Sequence, residues 1–334
     1  MKILYRFVIL GLLIIVTGSI ILSISYSRKI DKMVMDAKGS LFSSMKKPIY
    51  HFAVILNNTD EPYIKDVEKG LNDTANSFNT AIEINYSNGV DDYKDAIKYI
   101  NIAIDSKVDG IITHAYDTDE FQKLIDKAEE NKIPVITLDA ALSNTKGSAF
   151  VGTNGFETGS KAGRLVAEAL DGKAKVAIIL ESLEKSGKGN LKLDGFNNGI
   201  KNYKDIKIET IKVSNTGILG ANDVTQEILN NHPQLNAIVC TSSKDSIGAA
   251  QSVVDFNRVG DITIIGYGST PEILSYIQKG VIYGTIVPGA YKIGCDSIKT
   301  LVNLKENKRV SSYIHTDSIV ITKSNLKDYL KQNK

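Results

Sequence analysis

Residues 51–56 read HFAVIL and residues 175–180 read KVAIIL, two short apolar runs that lie about 125 residues apart. The runs that follow each of them recur in the same order: Ile82–Tyr86 with Lys207–Val213, Asp109–His114 with Asn236–Thr241, and Pro134–Asp139 with Asp261–Tyr267. This period is far too long for a solenoid repeat and fits one domain-sized unit. The sequence therefore predicts two similar lobes, and a cleft between lobes is where small ligands usually bind.

The apolar runs are nearly continuous, which is typical of parallel strands that helices cover on both faces. Helical stripes lie between them, such as Phe121, Leu124, Ile125 and Ala128 before Pro134. Alternating strands and helices predict right-handed crossovers and doubly wound sheets. The predicted fold class is α/β, with two doubly wound parallel-sheet lobes joined by hinge crossings and preceded by one N-terminal transmembrane helix.

A segment without charge, Phe7–Tyr26, precedes the two lobes and is long enough to span a bilayer as a helix. Basic residues flank it on both sides, so charge gives little information about its orientation. No cysteine follows it closely and the cleavage site is poor, which favours an uncleaved anchor. A cleaved signal peptide remains the alternative.

The predicted domain plan has four parts, and the lobes are discontinuous in sequence. Residues 1–27 form the anchor or uncleaved signal, residues 28–47 a juxtamembrane linker helix, residues 48–152 with 289–317 the first lobe, and residues 153–288 with 318–334 the second. The linker carries apolar residues at helical spacing, so an amphipathic helix and a solvated stalk are both open for it.

The bulk composition excludes several classes of protein. Forty basic residues stand against 38 acidic ones, which gives no reason to expect nucleic acid as a partner. The four histidines lack metal-ligand spacing, and the two cysteines, Cys240 and Cys295, are expected to be buried free thiols. No phosphate-binding loop, dinucleotide fingerprint or nucleophile elbow is present. We therefore expect no enzyme activity, no metal and no cofactor.

Ligands of open parallel sheets bind beyond the carboxyl ends of the strands, and this rule selects the candidate residues. The selected side chains are polar or aromatic, with little clustered charge. Hydroxyls need such donors and acceptors, and the C–H faces of sugars pack on aromatic rings. The candidate ligand-binding residues are Glu61, Tyr63, His114, Tyr116, Asp139, Asn190, Thr216, Ser242 and Tyr267.

Asp139 is the leading candidate, and a helix-start cap is its alternative. For Tyr63 and Tyr267 the alternative is packing at the edge of a lobe, and for His114 it is a hydrogen-bonded residue at a strand end.

Five stretches of the chain resemble the ribose/galactose class of periplasmic solute-binding proteins. They are FAVILN at 52–57 with Glu61-Pro62-Tyr63, VDGII at 108–112, KIPVITLD at 132–139, VGTN at 151–154 with Gly159, and IGYGSTP at 265–271. The resemblance covers about residues 48–323 and implies two lobes that close on a hinge around a sugar.

The residues around the cleft depart from the ribose pattern. Asp139 is followed by Ala140 where ribose binders have Arg, and the arginine of their second lobe falls near Asn190. Their Asn-Asp pair falls on Ser242-Ser243, and their Gly-Phe-Asp-Gly becomes GYGS at 266–269. The resemblance therefore implies a different ligand. A protein-interaction module that has lost sugar binding is the alternative.

The expected function is extracytoplasmic binding of a small neutral solute, in the first place a monosaccharide. The expected partner is a membrane protein, either a histidine kinase that senses the solute or the permease of an ABC importer. No nucleic-acid partner is expected. An uncleaved anchor favours the sensor. The expected location is the cell membrane, with one transmembrane pass and the lobes outside, in the cell envelope.

Overall fold

The computed structural model describes residues 47–57, 62–87, 93–116, 118–138, 149–181, 191–215 and 217–332. Tyr50–Lys334 forms one compact unit. Four of the candidate residues lie outside the described part of the chain: Glu61, Asp139, Asn190 and Thr216. Phe7–Tyr26 also lies outside the described part of the chain. Among the described residues, no helix is long and apolar enough to cross a membrane.

The described elements alternate between strands and helices along the chain. The strands are β1 (Tyr50–Asn57), β2 (Thr80–Ser87), β3 (Gly110–His114), β4 (Val135–Leu138), β5 (Ala149–Thr153), β6 (Lys173–Leu180), β7 (Asp205–Val213), β8 (Ala237–Cys240), β9 (Thr263–Tyr267), β10 (Gly284–Pro288), β11 (Tyr313–Thr316) and β12 (Ser318–Thr322). The helices are α1 (Pro62–Ser77), α2 (Lys94–Asp105), α3 (Asp119–Glu130), α4 (Gly155–Ala169), α5 (Leu191–Ile200), α6 (Gly217–Asn231), α7 (Ser243–Asp255), α8 (Pro271–Lys279), α9 (Ala290–Lys305) and α10 (Leu326–Gln332).

The strands form two six-stranded sheets of the same design. The first has the order β11-β5-β4-β3-β1-β2, and every neighbouring pair in it is parallel. The second has the order β12-β10-β9-β8-β6-β7. The two-lobed α/β fold with parallel sheets is therefore confirmed.

One strand departs from the all-parallel prediction, because β12 pairs antiparallel with β10. Only Asp317 separates β11 from β12. The chain therefore runs along β11 toward the crossing, the point where it passes from the first sheet to the second, and along β12 away from it. The strand β10 ends at the same crossing, with Pro288 opposite Ser318. The direction of β12 thus follows from its short connection, which hydrophobic patterns do not reveal.

Each sheet has a core on both faces, which explains why its strands read as continuous apolar runs. Along β1, Phe52, Val54 and Leu56 belong to one core cluster, whereas Ala53 and Ile55 belong to another. In β6, Val176 and Ile178 likewise face one cluster and Ala177 and Ile179 the other. Successive side chains of a strand point to opposite faces, so these strands have no polar face. Cys240 and Cys295 are buried free thiols, as expected.

Glycines bring one helix pair in each lobe into backbone contact. A Cβ at Gly70 of α1 would collide with the carbonyl of Tyr291 in α9. A Cβ at Gly159 of α4 would collide with the carbonyl of Lys192 in α5. The repeat seen in the sequence therefore extends to the way the helices pack.

The segments that cross between the two sheets lie side by side. Thr153 at the end of β5 pairs with Thr316 at the end of β11, and their hydroxyl oxygens are 3.5 Å apart. The strands β11 and β12 follow each other directly and each joins a different sheet. Both sheets are thus connected at one edge by adjacent short segments, which is the arrangement a hinge requires.

Candidate functional site

The carboxyl ends of β1, β2 and β3 bring polar side chains together in the first lobe. Asn57 ends β1, Ser87 ends β2, and Tyr116 follows β3. The Tyr116 hydroxyl donates to Oδ1 of Asn57 over 2.7 Å, and the Ser87 hydroxyl donates to the same oxygen over 3.2 Å. The hydroxyl oxygens of Ser87 and Tyr116 are 3.1 Å apart. These three residues form a closed network at the edge where a ligand is expected.

Tyr116 is held inside this edge rather than on its surface. Its ring is 5 % exposed and packs edge-on against Phe121, with 5.3 Å between the ring centroids. Burial raises the pKa of its hydroxyl, and the hydrogen bond with Ser87 lowers it. In this structure Tyr116 therefore supports Asn57 and Ser87.

Two other candidates of the first lobe are also positioned by its core. His114 is the last residue of β3 and is buried. Tyr63 lies in the first turn of α1 and packs, partly buried, against the core on that face of the first sheet. Packing in the first lobe therefore fixes the position of both side chains.

In the second lobe, Ser242 and Tyr267 are joined through Ser246. Ser242 caps α7, since its hydroxyl accepts the N–H of Asp245 over 3.1 Å. The Ser246 hydroxyl donates to the backbone oxygen of Ser242 over 2.7 Å and accepts the N–H of Tyr267 over 2.8 Å. The structure therefore brings these two candidates to one place, the carboxyl ends of β8 and β9.

The side chain of Lys192 also reaches the carboxyl ends of β8 and β9, although the sequence pattern did not single it out. Its ammonium lies 4.1 Å from the centroid of the Tyr267 ring and donates to the backbone oxygen of Thr241 over 2.7 Å. One face of the Tyr267 ring is thus covered by a cation, an attractive arrangement. This face of the ring is therefore not available to a ligand in this conformation.

A small cavity of about 20 Å³ opens beside these residues. Lys192, Thr241 and Tyr267 line it together with apolar side chains such as Phe196 and Ile286. The cavity has room for about one water molecule and is far smaller than a usual ligand pocket of about 300 Å³. The cavity is therefore too small to be the binding site of a ligand such as a sugar.

Asp245, in the first turn of α7, is a second residue near Ser242 that the sequence pattern did not single out. Its side chain is 0 % exposed. Burial raises the pKa of its carboxyl to about 6, the charge of Glu181 adds to the rise, and the hydroxyls of Ser214 and Ser242 oppose it. The only signal in the sequence is the spacing of Ser242 and Asp245, which predicts a helix start but not the burial of a charge.

The chemistry of the two strand-end groups suits a neutral, hydrogen-bonding solute. The first lobe offers an amide and two hydroxyls, and the second offers hydroxyls, an aromatic ring and one ammonium. Within the described residues, no three side chains of His, Cys, Asp or Glu are grouped so as to hold a metal ion.

Comparison with known proteins adds independent information. The model of the periplasmic binding protein domain family matches residues 52–309. The D-allose-binding periplasmic protein of Escherichia coli (strain K12) is 21% identical over 297 residues, which cover 85% of this chain and 96% of that protein. The D-ribose/D-allose-binding protein of Pseudomonas aeruginosa is 27% identical over 230 residues, 65% of this chain and 70% of that protein.

Solved structures show the same fold. GanP, a glucose-galactose binding protein from Geobacillus stearothermophilus, is 33% identical with a TM-score of 0.77, covering 84% of this chain and 99% of GanP. A chain of the XylFII-LytSN complex is 29% identical with a TM-score of 0.71, covering 83% of this chain and 99% of that one.

Proposed function

The chain belongs to the periplasmic binding protein domain family, and we propose that it binds a monosaccharide in a cleft between its two lobes. The observation that carries this proposal is the pair of polar groups at the carboxyl ends of two similar sheets, around Asn57 and around Tyr267. The names of its relatives, which refer to allose, ribose, glucose and galactose, support a sugar as the solute.

Hinge closure is part of the proposal. The lobes would comprise residues 48–152 with 289–317 and residues 153–288 with 318–334, and the adjacent crossing segments would allow one lobe to rotate toward the other. Closure would bring both strand-end groups onto the solute and remove it from water. Glu61, Asp139, Asn190 and Thr216 remain proposed contacts.

Ligand-induced stabilisation tests sugar binding directly. The full-length chain, purified in detergent, is heated with D-glucose, D-galactose, D-allose or D-ribose, and with a matched set of amino acids and charged metabolites. A sugar at about 100 times its dissociation constant should add about 2.7 kcal/mol to the free energy of unfolding. Stabilisation by amino acids or charged metabolites alone would contradict the proposal. Stabilisation by none of them would favour the protein-interaction module.

We also propose that Phe7–Tyr26 anchors the protein in the cell membrane, with the lobes in the cell envelope. Anchoring would raise the effective concentration of the protein near a membrane partner. Fractionation of cells and sequencing of the mature N-terminus test this, and a secreted form that begins after Ser25 would refute it.

The partner in this proposal is a membrane protein to which the lobes present the bound solute. A relative with the same fold was solved together with a second protein, in the XylFII-LytSN complex, which supports a protein partner for this chain. A sensor kinase and an ABC permease are the two candidates. Neighbouring genes for a kinase and a response regulator would favour sensing, whereas genes for a permease and an ATPase would favour import.

A further inference from the structure

In the described part of the chain, three segments cross between the two sheets. The first crossing, residues 153–154, leads directly into α4, and the Asn154 side chain caps this helix. The second crossing follows Pro288 at the end of β10, and the third ends at Ser318, where β12 begins. Pro288 and Ser318 pair with each other across these two strands. Ser318 therefore lies where the second and third crossings meet the second sheet.

Lys161 connects α4 to this meeting point. Its ammonium donates to the backbone oxygen of Ser318 over 2.7 Å and to the Ser318 hydroxyl over 3.0 Å, and it pairs with Glu157 at 2.6 Å. An ammonium has three N–H donors, so these three acceptors match its full capacity. The side chain is 21 % exposed. Hydrogen bonds from a charged group are roughly twice as strong as neutral ones, so Lys161 holds Ser318 firmly against α4.

Asp317 is the residue at which the third crossing is left to turn. Thr316 before it is fixed in the first sheet by pairing with β5, and Ser318 after it is fixed by β10 and by Lys161. Asp317 itself is exposed. Gly289 of the second crossing lies against it, since a Cβ at Gly289 would be 2.7 Å from the Asp317 carbonyl oxygen. Hinges are a few residues at the ends of elements that absorb changes of φ and ψ, and these two residues have that position.

We propose that Lys161 is a positioning residue of the hinge, which clamps Ser318 to the second lobe and so confines the rotation of the lobes to Asp317 and Gly289. This inference rests on the proposed sugar binding and hinge closure, and it goes further by assigning the residue that sets how much order closure must create. Lys161 acts through the backbone and does not touch the sugar. Groups that are ordered before binding lose little freedom when the ligand binds, and this improves affinity.

Loss of the clamp makes closure more costly. Without the ammonium, the backbone at Ser318 moves in the open protein and is ordered only when the sugar holds the lobes together. Fixing the backbone of one residue costs a free energy that corresponds to about tenfold in a dissociation constant. The open protein also samples a wider range of lobe orientations. Both effects leave the contacts with the sugar unchanged, and each can be measured by itself.

The distance between two spin labels tests the clamp without any sugar. Lys123→Cys on α3 and Gln251→Cys on α7 place the labels at exposed positions of different lobes, whereas the native thiols are buried. Double electron–electron resonance of the full-length chain in detergent gives the distribution of distances between the labels. We expect Lys161→Met to widen this distribution. A width equal to that of the wild type overturns the inference, whether or not a sugar binds.

Isothermal titration calorimetry of the full-length chain measures the effect on affinity. The probe is whichever of D-glucose, D-galactose, D-allose and D-ribose binds most tightly, at a temperature where every variant is folded. We expect Lys161→Met to bind it about tenfold more weakly than the wild type does. Binding as tight as that of the wild type, or tighter, overturns the inference, because a role limited to stability lowers Tm and leaves the affinity unchanged.

Lys212→Met is the matched control for both measurements. Lys212 also pairs with a glutamate at 2.6 Å, Glu227, but it lies on β7, at the opposite edge of the second sheet from β12. This variant should keep the distance distribution and the affinity of the wild type, and a change equal to that of Lys161→Met overturns the inference. Absence of binding by all four sugars overturns the proposed function and the effect on affinity, while the spin-label distances still decide on the clamp.

Discussion

Lys161 on α4 donates a hydrogen bond of 2.7 Å to the backbone oxygen of Ser318, which ties a helix of the second lobe to the crossing between β11 and β12. The same ammonium donates to the Ser318 hydroxyl over 3.0 Å and pairs with Glu157 at 2.6 Å. Its side chain is 21 % exposed. One cation thus fixes the residue at which the chain enters its antiparallel edge strand.

Lys161→Met should lower the free energy of unfolding by about 1.5–3 kcal/mol, because a hydrogen bond to a charged group is worth about this much. Methionine keeps most of the apolar stem and removes the ammonium. Urea denaturation monitored by circular dichroism measures the change. Lys299→Met, at an exposed position in the middle of α9, is the matched control and should change stability by less than about 0.5 kcal/mol. Equal losses in the two variants would contradict the assigned role.

Asp245 should make the stability of the fold depend on pH. The folded protein binds a proton at Asp245 more tightly than the unfolded chain, since the pKa rises from 3.8 to about 6. The free energy of unfolding of the wild type, relative to Asp245→Asn, should therefore fall as pH rises from about 4 to about 6. The total fall is up to about 3 kcal/mol, and the difference should be constant above that range.

Denaturation of both proteins at pH 4, 5, 6 and 8 measures this difference, and other titrating groups cancel in the comparison. A stability difference between wild type and Asp245→Asn that does not vary with pH would show that the carboxyl titrates alike in both states.

Gly159→Ala should destabilise the second lobe. The added methyl group would meet the backbone of Lys192, which cannot move aside as a side chain could. Overpacking of this kind typically costs about 1–3 kcal/mol. Differential scanning calorimetry would show a lower Tm, whereas Asn197→Ala on the exposed face of α5 should leave it nearly unchanged. A variant as stable as the wild type would mean that α4 and α5 separate easily.

Asp139→Ala should abolish stabilisation by sugar without preventing folding. A carboxylate that accepts two sugar hydroxyls makes two charge-assisted hydrogen bonds, each worth about 1.5–3 kcal/mol. Their loss should weaken binding by about two to four orders of magnitude, as measured by calorimetry. Asn190→Ala should have a smaller effect, because water replaces a neutral amide more easily. Unchanged affinity in Asp139→Ala would contradict a ligand contact and indicate that Asp139 is a helix cap.

The fold was readable from the sequence because its strands are apolar on both faces. Phe52 and Val54 pack in the core on one face of the sheet and Ile55 in the core on the other. The apolar run is therefore continuous, which is typical of a parallel strand. The direction of β12 was not readable, because it depends on the one-residue connection at Asp317.

The candidate site was only partly readable. The rule of strand carboxyl ends selected Ser242 and Tyr267, which the structure brings together. It could not select Lys192, whose side chain reaches the site from a helix, or Asp245, whose helix-start spacing gives no sign of burial. Side-chain reach and burial of charge arise from tertiary packing, which the rule does not include.

The position of α9 also determines when the protein can finish folding during its synthesis. Ile293 and Leu301 pack with Val67 and Leu71 of α1 in the same core, yet a ribosome makes them after all the strands from β6 to β10. Until they leave the exit tunnel, the apolar side of α1 faces water or a chaperone. The half of the protein that is translated first is therefore completed late, and a chain that terminates before α9 leaves that side exposed to aggregation.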